Sequence, residues 1–294
     1  MRFDLHQCGE INLHVASGGD VAAPLIVMLH GFPEFWAAWE PVMVDLARDF
    51  HVVAPDQRGY NLSSKPRGVD AYRVGRMVGD IAALADRLSP TRPFVLAGHD
   101  WGASVAYGFA FRYPERVSHL IVANGVHPAC FQRAILDDPD QRQASQYINK
   151  LTSPGQEGRM SENEFARTFR MISGFSATPW MTKVIQARYL DAWSRPGAME
   201  AMLNWYRASP LHVPETAAVV SSAPVLEADP ETMRVRMPHL LIWGEDDEAL
   251  RPSSYAGLEA FAADLRIKRV AGTGHWILHE KPGAVANAIR AFVR

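Results

Sequence analysis

The segment Gly98-His99-Asp100-Trp101-Gly102 follows an apolar run, Phe94 to Ala97, and precedes the small residues Ala103-Ser104-Val105-Ala106. This order predicts a strand, a tight turn and a helix. Glycines stand two positions before and two positions after Asp100, as such a turn requires, because larger side chains would clash there. The turn presents its central side chain above the edge of a sheet, so Asp100 is a candidate nucleophile. The alternative is an aspartate that only caps the helix.

Other short apolar runs, bounded by Gly, Pro and Asp, predict buried parallel strands on both sides of this turn. They are Leu25 to Leu29 and His51 to Ala54. Further strand signals are His119 to Ala123, His239 to Trp243 and Leu265 to Val270. Helical spacing appears between strands, as over residues 77–88, and again from Ala284 to Val293. Alternating strand and helix signals predict an α/β fold with a doubly wound, mostly parallel sheet.

The alternation stops after residue 128 and resumes at about residue 237. The segment between them is helix-like, aromatic and polar, and its sequence contains no convincing strand signal. We therefore predict a core domain made of residues 1–128 and 237–294, with a helical cap domain, residues 129–236, inserted between its strands.

Composition narrows the class of protein. The 294 residues are 48% apolar and 21% charged, as in an ordinary globular protein, and the net charge of -2 offers no basic footprint for nucleic acid or an anionic membrane. The longest apolar run, Leu25 to Leu29, is too short to span a bilayer, and the N-terminus has no signal-peptide pattern. We expect a cytoplasmic protein with a small, neutral partner. Cys8 and Cys130 lack metal-site spacing and are expected to be free thiols.

Two later segments add a carboxylate and an imidazole in the order nucleophile, acid, histidine. Four consecutive carboxylates, Glu245-Asp246-Asp247-Glu248, follow the strand that ends at Trp243. His275 lies in a glycine-flanked loop directly after the last predicted strand. Only one carboxylate can orient the histidine, and the spacing alone leaves the choice among the four open.

A third segment, His30-Gly31-Phe32-Pro33-Glu34, follows the strand that ends at Leu29. Its backbone N–H groups can reach the turn around Asp100. The amides of Phe32 and Trp101 could together form an oxyanion hole for a tetrahedral intermediate. A turn rich in Gly and Pro without a catalytic purpose is the alternative.

These motifs resemble those of the α/β-hydrolase superfamily throughout the chain, and specifically those of its epoxide hydrolase branch. The matching segments are HGFPE at 30–34, DQRGYNLSSKP at 56–66, GHDWGA at 98–103, WGEDDEAL at 243–250 and GHW at 274–276. The resemblance implies that Asp247 orients His275, with Asp246 as the alternative. It also implies two epoxide-polarising tyrosines in the cap, Tyr206 and Tyr147, although each could simply be an aromatic residue packed in a helical domain.

The same resemblance implies an enzyme that converts an apolar epoxide to a diol through an ester on Asp100, with no metal and no cofactor, acting as a monomer or homodimer. Haloalkane and haloacid dehalogenases share the aspartate nucleophile and are the first alternative. Haloalkane dehalogenases typically carry a halide-binding Asn where this chain has Phe32, and fluoroacetate dehalogenases carry arginines where it has Trp101 and Ser104. A non-catalytic small-molecule receptor on the same fold is the second alternative.

Overall fold

An eight-stranded sheet forms the centre of the protein in a computed structural model that describes residues 1–218 and 220–294. The strands are β1 (Arg2–Cys8), β2 (Ile11–Gly18), β3 (Leu25–Leu29), β4 (His51–Pro55), β5 (Phe94–His99), β6 (Val117–Ala123), β7 (His239–Gly244) and β8 (Leu265–Val270). Their order across the sheet is β1-β2-β4-β3-β5-β6-β7-β8. The six strands β3 to β8 run parallel to one another. Strand β1 pairs antiparallel with β2, and β2 pairs antiparallel with β4. The predicted α/β fold with a mostly parallel sheet is confirmed.

Helices pack around this sheet and follow its strands. They are α1 (Glu40–Leu46), α2 (Val74–Leu88), α3 (Trp101–Arg112), α4 (Pro128–Asp137), α5 (Pro139–Ala144), α6 (Gln146–Thr152), α7 (Gln156–Gly174), α8 (Lys183–Trp193), α9 (Ala198–Arg207), α10 (Pro224–Glu227), α11 (Ile277–Glu280) and α12 (Pro282–Val293). In α2 the buried residues Met77, Ile81 and Leu84 recur at helical spacing and face the core. No helix in the described part of the chain is long and apolar enough to cross a membrane.

The N-terminal hairpin of β1 and β2 is absent from our sequence-based prediction. Strand β1 is mostly exposed at the edge of the sheet, so it has no apolar run to mark it. Strand β2 begins with alternating buried and exposed residues, Ile11 to His14, which is the pattern of a half-buried antiparallel strand. That short alternation was the available signal.

Parallel pairing brings the carboxyl ends of the central strands to one edge of the sheet. Leu29 at the end of β3 pairs with Gly98 in β5, and His99 pairs with Ala123 at the end of β6. The described residues between β6 and β7 form helices α4 to α10 and no strand. Indole N–H groups tie these helices to the core: Trp205 donates to the carbonyl of Arg58 at 3.0 Å.

Candidate active site

Asp100 lies at the turn between β5 and α3 with an unusual backbone conformation, φ 51° and ψ -121°. Positive φ is strained for a residue with a side chain, and such strain is typical of positions that present a functional group. A Cβ atom on Gly98 would lie 2.5 Å from the carbonyl oxygen of Gly102, and one on Gly102 would collide with the carbonyl of Leu29. Only glycine fits at these two positions.

The Asp100 carboxylate does not cap the helix that follows it. Its side chain makes no capping hydrogen bond to α3, and Oδ1 instead accepts a hydrogen bond of 2.7 Å from the backbone N–H of Phe32. The Phe32 amide therefore points at an oxygen of the predicted nucleophile. Trp101 directly follows Asp100 as the first residue of α3, and it lines the same cavity as the carboxylate.

His275 lies between the two predicted carboxylates. Its Nε2 is 3.5 Å from Oδ2 of Asp100, and its Nδ1 is 2.8 Å from Oδ2 of Asp247. The backbone amides of Ala249 and Leu250 donate to Oδ1 of Asp247 at 2.8 and 2.9 Å. The structure thus brings Asp100, His275 and Asp247 into one line of contacts, whereas Asp246 is exposed to solvent.

Electrostatics favour a protonated His275 while Asp100 is ionised. Burial disfavours the cation, but the charges and hydrogen bonds of Asp247 and Asp100 outweigh it and raise the pKa of His275 to about 10. Any change that removes the charge of Asp100 removes part of this stabilisation and lowers the pKa of His275.

The two predicted tyrosines face Asp100 from the helical insert. Tyr147 lies on α6 and Tyr206 on α9, their ring centroids are 6.3 Å apart, and both line the same cavity as Asp100. Burial, reinforced by the charge of Asp100, raises the pKa of both phenols. Both hydroxyls therefore stay protonated at neutral pH and can donate hydrogen bonds.

The cavity that joins these groups has a volume of about 410 Å³ and is mainly apolar. Among the described residues that line it, Asp100 is the only one with a charged side chain. A pocket of this kind suits a neutral, apolar molecule held by a few polar contacts.

Comparison with known proteins identifies the family. A family model for the alpha/beta hydrolase fold matches residues 24–282. The chain belongs to the α/β-hydrolase family. The AB hydrolase superfamily protein YfhM of Bacillus subtilis is 36% identical over 97% of this chain and 95% of its own length.

Solved structures of epoxide hydrolases resemble this α/β-hydrolase over its whole length. One from a study of epoxide hydrolases in metagenomes from hot environments has a TM-score of 0.89, with 36% identity over 100% of this chain and 99% of the other. A mutant Bacillus megaterium epoxide hydrolase in complex with its product, (R)-3-[1]naphthyloxy-propane-1,2-diol, has a TM-score of 0.87, with 30% identity over 99% of each chain.

The α/β-hydrolase core contains a further contact to the acid that the sequence analysis missed. Asn124 follows β6 with φ 35°, and its Nδ2 donates to Oδ2 of Asp247 at 2.7 Å. Its Oδ1 accepts from the backbone N–H of Gly244 at 2.8 Å. Asn124 therefore fixes both the acid and the end of the strand that carries it. The Asn-Gly pair directly after a predicted strand was the available signal, because Asn tolerates positive φ.

A second buried cluster supports the histidine loop and was also missed. Glu34 Oε1 lies 2.6 Å from Nε2 of His279 and accepts a 2.7 Å hydrogen bond from the hydroxyl of Tyr189. Although burial raises the pKa of Glu34, its contacts with His279 and His99 lower it well below the usual range. His99 Nε2 lies 2.9 Å from the backbone carbonyl of His275, so the cluster reaches the loop that carries His275.

Neither cysteine belongs to this site. Cys8 and Cys130 are free and buried, and burial raises their thiol pKa values to about 11 and about 12. In the described part of the chain, no group of three or more His, Cys, Asp and Glu side chains is arranged to hold a metal ion.

Proposed function

We propose that this α/β-hydrolase converts epoxides to vicinal diols through a covalent ester on Asp100. One observation carries the proposal: a carboxylate on the strained turn faces two protonated tyrosines, one buried and one partly buried, across an apolar cavity. The epoxide hydrolases among its relatives support it, including one whose product is an aryloxy diol. The substrate would be a neutral, apolar epoxide, since the described cavity wall offers no cation to bind a carboxylate.

In the first step, an oxygen of Asp100 attacks one ring carbon and the bond from that carbon to the epoxide oxygen breaks. Oδ1 is held by the Phe32 amide, so Oδ2 is the attacking atom and Oδ1 becomes the carbonyl oxygen of the ester. Negative charge develops on the epoxide oxygen, where Tyr147 and Tyr206 donate hydrogen bonds and one of them transfers its proton. Donors aimed at this developing charge stabilise the transition state more than the substrate.

In the second step, water attacks the ester carbonyl. Ester formation removes the charge of Asp100, which lowers the pKa of His275, so the imidazole becomes a base that accepts a proton from the water. Asp247 keeps the ring oriented through Nδ1. The amides of Phe32 and Trp101 would stabilise the oxyanion. Collapse of the tetrahedral intermediate breaks the bond from Cγ to the ester oxygen, which takes the proton held by His275 and leaves as part of the diol. The second proton of the water returns to the tyrosinate, which restores the carboxylate of Asp100 and the phenol.

We further propose that residues 129–236 act as a cap domain over the nucleophile. Tyr147 and Tyr206 both come from this segment and face Asp100. The indole N–H groups of Trp193 and Trp205 anchor it by donating to core carbonyls at 2.6 and 3.0 Å. A cap held in this way keeps bulk water from the ester until His275 activates one molecule.

Intact-protein mass spectrometry under substrate tests the mechanism. Asp100→Asn should show no turnover and no adduct. His275→Gln should form the ester but not hydrolyse it, so the protein mass should rise by the mass of the epoxide. Absence of any adduct in His275→Gln, with wild-type protein active, would contradict a covalent mechanism.

A matched pair of variants tests the acid. Asp247→Asn should slow diol formation by at least about tenfold, because the amide cannot support the imidazolium. Asp246→Asn changes the neighbouring exposed carboxylate in the same way and should leave the rate unchanged. Equal effects of the two substitutions would reject Asp247 as the orienting residue.

A substrate panel separates the reaction classes. Wild-type protein is incubated with an aryl epoxide, an aliphatic epoxide, a haloalkane and fluoroacetate, and diol and halide are measured together. Diol without halide supports the proposal. Halide without diol identifies a dehalogenase with the same nucleophile, and tight binding without turnover identifies a receptor.

A further inference from the structure

The active-site cavity is elongated along one helix. Four residues of α3 face it at intervals of three or four positions: Trp101, Ser104, Gly108 and Phe111. At 1.5 Å per residue, this face extends about 15 Å from Trp101 to Phe111. A substituent on the ring attacked by Asp100 can therefore lie along α3.

Ser104 is the only hydroxyl group on this face of the described helix, and it lacks the bond to a preceding carbonyl that Ser161 in α7 and Ser176 just after α7 make. Ser161 and Ser176 donate to the carbonyls four residues before them, at 2.8 and 2.9 Å. Such a bond is the usual way in which a serine in or after a helix satisfies its hydroxyl. The Ser104 hydroxyl makes no hydrogen bond to any described residue, and its side chain lines the cavity. Its donor is therefore available to a ligand.

Two other non-catalytic hydroxyls line the described cavity wall. Tyr72 donates to the carbonyl of Pro66 at 2.7 Å, whereas Ser209 Oγ accepts from the amide of Leu211 at 3.2 Å and lies after α9, not on α3. Ser104 lies one helical turn, about 6 Å of rise, from the nucleophile. A group bound by its hydroxyl would therefore be a few bonds from the reacting ring carbon.

We propose that Ser104 is a specificity-determining residue that donates a hydrogen bond to an ether oxygen in the epoxide substituent; this inference rests on the proposed epoxide hydrolysis. The acceptor should be neutral, because Asp100 is nearby and no cation lines the described wall. An ether oxygen has no donor of its own, so it leaves no unpaired N–H or O–H group in the apolar cavity. Glycidyl ethers carry such an oxygen two bonds from the ring.

Two substrates of the same shape test the contact. Phenyl glycidyl ether and 4-phenyl-1,2-epoxybutane differ only by an ether oxygen in place of a methylene group. For each variant, kcat/KM is measured on both, and the ratio of ether to hydrocarbon is compared with the wild-type ratio. Comparing these ratios cancels the difference in intrinsic reactivity between the substrates.

Three substitutions separate the hydroxyl from the volume of the side chain. Ser104→Ala removes the donor, and Ser104→Val and Ser104→Thr form a pair of equal shape in which only threonine keeps a hydroxyl. We expect the ratio to fall about fivefold in the alanine and valine variants, as for one neutral hydrogen bond, and to be largely retained in the threonine variant. Melting temperatures establish that each variant is folded.

The outcomes distinguish this inference from the function on which it rests. If the wild type forms diol from both substrates and the ratio is the same in the wild type, alanine and valine variants, Ser104 does not contact the ether and the inference is wrong. If the folded wild type forms diol from no epoxide, the proposed function fails and the role of Ser104 falls with it.

Discussion

Asn124 allows the effects of backbone strain and of side-chain contacts on the site to be separated. Asn124→Gly and Asn124→Ala both remove the hydrogen bonds to Asp247 and to the backbone N–H of Gly244. Only alanine also places a Cβ atom at φ 35°, a left-handed conformation that glycine adopts without strain. The two variants therefore share one loss and differ in another.

The expected loss of stability follows from these contacts. The bond to the Asp247 carboxylate is charge-assisted and buried, so its removal costs about 2 kcal/mol. The Gly244 N–H is left buried without its acceptor, which costs about 1 to 3 kcal/mol more. We expect Asn124→Gly to lose about 3 to 5 kcal/mol in free energy of unfolding. Asn124→Ala should be about 1 kcal/mol less stable again, because of its left-handed backbone.

Catalysis should respond at one step. Asp247 keeps the hydrogen bonds from the amides of Ala249 and Leu250 after the substitution but is held less firmly against His275. Stopped-flow single turnovers should show ester hydrolysis slowed about tenfold and ester formation nearly unchanged. Urea unfolding followed by tryptophan fluorescence gives the stability.

Three results would refute this reasoning. Variants within about 1 kcal/mol of the wild type would mean that the two hydrogen bonds contribute little net stability. An alanine variant as stable as the glycine variant would mean that residue 124 does not need positive φ. A large loss of stability without slower ester hydrolysis would make Asn124 structural only.

Other expected outcomes concern pH, the tyrosines and the cap. Burial lowers the pKa values of His127 and His239 to about 4, so the unfolded chain binds protons that the fold excludes as pH falls from about 6.5 to about 4. The free energy of unfolding, measured by urea titration, should drop through this range by up to about 3 kcal/mol per imidazole, and equal values at pH 7.5 and 5 would contradict it. Tyr206→Phe and Tyr147→Phe should each reduce kcat/KM for an epoxide by about 100-fold in steady-state assays, and a normal rate in both would remove them from the mechanism. Trp205→Phe deletes an indole bond to a core carbonyl and should lower the melting temperature by about 3 °C, while an unchanged melting temperature would show that this anchor is dispensable.

The sequence predicted the parts of the fold in which burial leaves a continuous mark. Strands β3 and β4 are buried along their whole length and stand out as apolar runs. Strand β1 was missed because it lies at the edge of the sheet and is mostly exposed, and β2 was missed because its first residues alternate between buried and less buried positions. Strand β2 also pairs with β4, which comes from a later part of the chain, and a local sequence pattern does not record such pairing.

For the site, local sequence motifs were sufficient to identify residues that are marked by the residues next to them in the chain. The glycines around Asp100 and the loop before His275 were enough to name both residues, and the fold then placed them 3.5 Å apart. Two acidic neighbours, Asp246 and Asp247, could not be separated by spacing, because adjacent residues differ only in which one faces the interior.

The sequence by itself thus determined the α/β-hydrolase fold, the strained turn and the residue types available for chemistry, since these are properties of short segments. Tertiary structure alone decided that Asn124 supports Asp247 across two strands, that Glu34 meets His279, and that the Ser104 hydroxyl is left without a partner in the described protein. Hydrogen bonds between residues more than a hundred positions apart depend on strand order and register. A free donor depends on every group packed around it, and no local pattern records either.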